Sequence, residues 1–394
     1  MFKSNKRLIE ILFVVLISSL VGMMSGAVTM YSLEVKNKDK HIDVSKIKEI
    51  DETYNTIVNK YYDDVDKNKL VEGAISGMLS VLDKNTSYMD GATTTNFNKK
   101  MKGEYYGIGI EILTLDGTGS LVVSVVPNSP AYISGIKEGD VIVKANGEDL
   151  SDKTANYFTD MVSNTSEEIK LEIKRNNRSL NISVLPEKVV IPSVTSKYFN
   201  MSGKRIGYLK ISIFAANTAS QFATELEKLE EKGIDSLVID LRDNSGGYLS
   251  NAATILEMFM KKGQVLYQTE SKTSLVSRKD ETDEYRDYPV ALLVNSASAS
   301  ASEVLTACFM ENMNSEVIGT TTYGKGTVQE TVNLLDGSMA KITTKKWLTP
   351  KGNWINEKGI IPTVTLDISD KYLQNPTFDN DNQLERAIKI LITK

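Results

Sequence analysis

Seven residues, Ala297 to Glu303, read ASASASE. The run alternates small apolar residues with the hydroxyls of Ser298, Ser300 and Ser302 and ends on a carboxylate. A serine becomes a nucleophile only when a neighbouring base takes its proton. Histidine is the commonest such base, but the 394-residue chain holds one histidine, His41, in the charged run KNKDKHIDVSK near the N-terminus. A solvated surface role suits that position better than catalysis. Lysine is the other side chain that can be tuned to the task, because burial disfavours its ammonium form and brings its pKa toward neutrality. Lys325 stands out in TTYGKGTVQ, where Gly324 and Gly326 imply tight backbone geometry. The triplet lacks the upstream glycine and the spacing of a phosphate-binding loop. Locally, simpler readings stay open: Ser302 as a helix N-cap, and GKG as a plain hairpin turn.

These stretches need elements to position them. PVALLVN reads as a buried strand running straight into ASASASE, and SEVLTACFMENM continues as a helix. A serine at such a turn presents its hydroxyl at the sheet edge, beside a helix N-terminus that favours developing negative charge. RIGYLKISIF is a strand, TASQFATELEKLEEKG an amphipathic helix ending on Gly233, SLVIDLRD a strand apolar enough to be buried on both faces, ATILEMFMKKG a helix and SEVIGT a strand. This alternation predicts a layered α/β domain over 188–394. Residues 101–187 instead alternate apolar and polar positions between glycines and Pro127, and KLEIKRNNRSLNISVLPEK closes like a hairpin. They predict a compact, mostly β module. Before it, 43–100 form a helical region. Ile47, Ile50, Tyr54, Ile57, Val58 and Tyr61 recur at helical steps, an acidic break follows at Asp63 to Asp66, and KLVEGAISGMLSVLD resumes the pattern.

The N-terminus carries an address. Ile11 to Met30 contain no charge, a run long enough to cross a bilayer as a helix, and Lys3, Lys6 and Arg7 precede it. This predicts a cytoplasmic segment over 1–7, a membrane anchor over 8–30 and a stalk over 31–42, with the remainder outside the cytoplasm. A cleaved signal peptide is the rival. The apolar run continues past Ser25-Gly26-Ala27 and favours retention. Net charge is −5, which argues against a nucleic-acid partner. One cysteine, Cys308, excludes an intrachain disulfide and a cysteine zinc cluster, and the single histidine excludes a histidine-rich metal site.

Taken together, ASASASE and YGKGTVQ resemble the paired signature of the C-terminal processing peptidases, or tail-specific proteases. In that family the middle serine is the nucleophile and the lysine follows 25 positions later, which corresponds to Ser300 and Lys325. The resemblance implies that Gln329 holds the lysine amine by a hydrogen bond. It extends to DLRDNSGG, Asp240 to Gly247, and implies an oxyanion hole made by the amides of Gly246 and Ala301. ITTKKWLTPKGNWINEKGIIP and LVEGAISGMLSVLDKNTSYMD are similar to further family segments, so the likeness covers about 45 to 367. The β module resembles a PDZ domain, in which Gly107-Ile108-Gly109-Ile110 takes the place of the loop that binds a peptide's terminal carboxylate. The family's Ile-Arg-Gly near the end of the PDZ helix is replaced by Met161-Val162-Ser163-Asn164.

The implied fold is a multi-domain α/β (α+β) protein with a ClpP/crotonase-like catalytic core, an inserted PDZ domain and N-terminal helices after a transmembrane helix. The implied function is that of a single-pass, membrane-anchored bacterial serine endopeptidase whose catalytic domain faces away from the cytoplasm. It would act on proteins or peptides with accessible C-terminal tails and need no metal or organic cofactor, and its N-terminal helices would suit a homodimer as well as simple packing. Two other classes compete: a non-enzymatic PDZ adaptor on an inactive protease scaffold, and an esterase.

Overall fold

The computed structural model describes residues 44–394. The expected cytoplasmic segment, membrane span, stalk and His41 lie outside the described residues. Among those described, no helix is long and apolar enough to cross a membrane. The chain divides into two units, one ending at Ala74 and one beginning at Ile75. The first holds helix Val44–Lys60 and the start of helix Lys67–Ser80. The acidic break separates them, and Asp66 accepts from the Asn68 and Lys69 amides at the second helix start.

The second unit is mixed α/β. Its central sheet has six strands in the order Val194–Met201, Lys204–Ile211, Ser236–Asp240, Val290–Val294, Glu316–Gly319 and Val364–Thr365; the first pair is antiparallel and the rest are parallel. Because side chains alternate along a strand, the sheet buries two faces. Leu237, Ile239, Leu292 and Val294 join a core with helices Thr218–Glu230, Leu249–Glu257 and Ala301–Met313. Val238, Ala291 and Leu293 pack against the C-terminal helix Asn382–Ile392. Strands covered on both faces read as continuous apolar runs, which is why VALLV is buried throughout.

A second sheet is built around the long strand Met339–Leu348. It pairs with Thr327–Asn333 along one edge, and with Ser87–Met89 and Val265–Glu270 along the other; Leu275–Lys279 completes the order. The hairpin 327–348 therefore follows directly on Lys325. The β module has strands in the order Ile110–Leu115, Gly119–Val125, Val141–Ala145, Ile169–Arg175 and Arg178–Val184 around a core that includes Ile142, Phe158, Ile169 and Ile173. Its closing hairpin turns at Asn176 and Asn177, both with positive φ (52° and 62°), as a two-residue turn of matching twist requires.

Candidate active site

The ASASASE turn is stapled in place by two of its serines. Ser298 and Ser302 are fully buried. Ser298 Oγ donates to the Leu241 carbonyl at 2.8 Å, and Ser302 Oγ donates to the Asn244 carbonyl at 2.9 Å. Ser302 thus ties two turns together and is not the expected N-cap; Ser300 occupies that position. Ser300 has φ 56° and ψ −114°, a region costly for a residue with a Cβ and met mostly where neighbouring structure enforces it. Of the three serines, it alone lines the adjoining cavity of about 650 Å3.

Glu303, fully buried one turn later, holds both halves of the site. Its Oε2 accepts from the backbone N–H of Ser300 at 2.8 Å and of Lys325 at 2.9 Å. Its Oε1 accepts from the Gly324 amide at 2.7 Å and the Thr322 hydroxyl at 2.6 Å. Besides capping its own helix, Glu303 therefore ties the helix start to the lysine loop. Two tryptophans complete the loop: Trp347 Nε1 donates to the Lys325 carbonyl at 2.6 Å and Trp354 Nε1 to the Gly326 carbonyl at 2.8 Å. The glycines are required by close approach. A Cβ on Gly324 would meet the Gly359 nitrogen at 2.8 Å, and one on Gly326 the Trp354 indole nitrogen at 2.7 Å.

Lys325 lines the same cavity as Ser300. Burial, reinforced by the positive charge of Lys341, lowers its pKa from the usual lysine value, while Glu303 and Asp83 oppose the shift. That direction favours the free amine a base needs. Among the described residues, Lys325 Nζ makes no hydrogen bond to Ser300 Oγ or to any other side chain. Gln329 lines the cavity too. Its amide nitrogen donates to the hydroxyls of Thr327 at 2.9 Å and Thr343 at 3.1 Å, so the expected bond to the lysine amine is not made in this arrangement.

The DLRDNSGG turn lies against Ser300. A Cβ on Gly246 would meet the Ala299 oxygen at 2.8 Å, Ser300 Cβ at 2.9 Å and the Ala301 nitrogen at 3.2 Å. Ala301 is the first helical residue. The Gly246 N–H, however, donates to Asn244 Oδ1 at 2.9 Å. The buried Asn244 amide thereby closes a local turn that occupies the Gly246 donor of the expected Gly246–Ala301 pair in this arrangement. Asp240 and Arg242 are structural, with the buried guanidinium forking onto Asp240 and Asp381.

In the β module, the carbonyls of Ile108 and Gly109 accept from the amides of Ala131 (2.8 Å) and Val126 (2.9 Å). Ile108 is buried, Gly109 has φ 88°, and Ile110 opens the edge strand. Gly107 ends the strand paired with Glu187–Val190. Among the described residues, no group of three or more His, Cys, Asp or Glu side chains is placed to hold a metal ion.

Residues 205–366 match peptidase family S41, residues 94–174 match the PDZ domain, and residues 18–93 match the activating protease CtpB N-terminal domain. The chain is 36% identical over 358 residues to the carboxy-terminal processing protease CtpB of Bacillus subtilis (strain 168), covering 90% of this chain and 72% of that relative. It is 35% identical over 380 residues to the carboxy-terminal processing protease CtpA of the same organism, covering 95% and 81%. A putative S41 protease from Bacteroides fragilis NCTC 9343 shares the fold, with a TM-score of 0.51 at 18% identity over 80% of this chain and 87% of that one.

Proposed function

The chain belongs to the carboxy-terminal processing proteases of peptidase family S41, which are serine peptidases, and from that premise we propose that Ser300 and Lys325 are its catalytic dyad. The observation that carries the reading is the Glu303 carboxylate, which binds the backbone amides of both residues at the wall of one cavity. Lys325, as free amine, takes the Ser300 proton while Oγ adds to the scissile carbonyl. The negative oxygen then faces the Ala301 N–H at the helix start. Gly246 N–H joins it on leaving Asn244 Oδ1. Collapse breaks the C–N bond, and the lysine returns the proton to the departing amine. Water, deprotonated by the same amine, hydrolyses the acyl-enzyme. Gln329 Oε1 steadies the ammonium that forms.

The N–H groups of Ile108 and Gly109, unpaired among the described residues, would receive a substrate's terminal carboxylate while its tail extends the edge strand at Ile110. The uncharged run from Ile11 to Met30 would anchor the enzyme with its catalytic domain outside the cytoplasm. A serine-reactive fluorophosphonate tests the dyad. The native protein should label, whereas Ser300→Ala and Lys325→Ala should not; undiminished labelling of either variant removes the proposed pair. Comparing protein C-termini in cells carrying the active form or Ser300→Ala would identify substrates.

A further inference from the structure

We propose that Asp83, acting through the Thr343 hydroxyl, is a positioning residue that fixes the Gln329 side-chain amide with its carbonyl oxygen available to Lys325. The inference rests on the Ser300–Lys325 reading and deepens it. Asp83 follows the second helix, in LDKNTSYM. Its Oδ1 accepts from the Asn85 amide (2.8 Å), the Thr86 amide (3.2 Å) and the Thr343 hydroxyl (3.1 Å), and its Oδ2 from the Thr86 hydroxyl (3.0 Å). The Thr343 amide returns a bond to Thr86 Oγ1 at 3.1 Å, which pins this loop to the strand Met339–Leu348. Partial burial raises the Asp83 carboxyl, but these hydrogen bonds outweigh it and hold the group below the usual carboxylate range.

An ionised carboxylate only accepts, and a hydroxyl has one proton. The Thr343 proton is therefore committed to Asp83, and Thr343 can offer Gln329 only a lone pair. The group meeting it must be the amide NH2, which donates at 3.1 Å. Its other hydrogen goes to Thr327 Oγ1, itself receiving Asn85 Nδ2 at 3.1 Å. Both amide hydrogens are thereby spent. Gln329 Oε1 takes no bond from the described residues, on a side chain that lines the cavity with Lys325. Were the Thr343 proton free to turn, the amide could reverse and present hydrogens to the lysine ammonium. Hydrogen-bond polarity thus passes from Asp83 to the base through one hydroxyl.

The test compares fluorophosphonate labelling rates of the full protein with Thr343→Val, Thr343→Ser, Gln329→Leu and the double variant Thr343→Val/Gln329→Leu. Loss of the hydroxyl should slow labelling by about tenfold, as removal of one well-made hydrogen bond does, and serine should restore the rate to within about twofold. The double variant should be no slower than Gln329→Leu alone, since both changes break one path. If Thr343→Val melts early, Thr343→Ala replaces it in the same cycle. Labelling of the Thr343 variant at the native rate, failure of serine to rescue, or additive losses would overturn the proposal. Lys325→Ala separates the two levels. If it abolishes labelling while Thr343→Val has no effect, only the relay fails; if it labels normally, the dyad fails and takes the relay with it.

Discussion

Replacing Glu303 by glutamine is the sharpest available perturbation, because its shape is kept and one oxygen becomes a donor. The native carboxylate receives four bonds, three of them from backbone amides. The glutamine has two ways to sit. With its NH2 at the Oε2 position, it meets the amides of Ser300 and Lys325 and leaves two donors unpaired. With its NH2 at the Oε1 position, it orphans only the Gly324 amide, since the Thr322 hydroxyl can become an acceptor while still receiving the Ile360 amide. The second is preferred. One buried N–H without an acceptor costs about 1–3 kcal/mol, and donor facing donor places the loss toward the upper end. Urea denaturation should therefore show a destabilisation of ~2–3 kcal/mol. Activity separates placement from charge. Glu303 raises the pKa of Lys325, so a purely electrostatic role predicts more free amine and faster fluorophosphonate labelling on the acid side. A clamp predicts slower labelling at every pH, because the lysine loop loses its register with Ser300. A stability change below about 0.5 kcal/mol, within the range of ordinary surface substitutions, together with faster labelling would refute the clamp.

Two further outcomes are expected. Lys341 lines the cavity without an ion pair among the described residues, and its charge follows burial in lowering the Lys325 pKa, against Glu303 and Asp83. Lys341→Met removes that repulsion and raises the Lys325 pKa, so the acid limb of the labelling profile should move to higher pH while Lys341→Arg leaves it in place; an unmoved or lowered limb contradicts the assignment. Arg242→Met leaves the buried carboxylates of Asp240 and Asp381 without their shared cation, and chemical denaturation should register a loss of roughly 3–5 kcal/mol, a loss below about 1 kcal/mol counting against a structural role.

Most elements of the second unit were legible because burial writes itself into local composition. VALLV, SLVID and the amphipathic TASQFATELEKLE declare their environments within a few residues. Flanking glycines singled out Lys325, but its pairing with Ser300 came from the resemblance to the C-terminal processing peptidases, whose spacing the chain matches. What escaped is held by partners distant in sequence. Glu303 shows a capping spacing to Ser300, yet its other contacts lie about twenty residues on, at Thr322, Gly324 and Lys325. Asn244 gives no sign that its amide will occupy the Gly246 N–H, since that depends on how the turn closes.

Gln329 shows why such contacts resist sequence reading. Along the hairpin, Val328 faces Lys345, but Gln329 faces Thr343, because the register shifts between the two residues. Side chains alternate with a period of two, so a one-residue irregularity exchanges the faces of everything beyond it. With unbroken pairing, Gln329 would sit opposite Thr344. Its amide would then lie away from Thr343, and Asp83 would have no path to it. A residue spacing can nominate Gln329 as a neighbour of Lys325. The direction in which its amide points is fixed by that irregularity and by a carboxylate more than two hundred residues earlier in the chain, information that exists only once the sheet has formed.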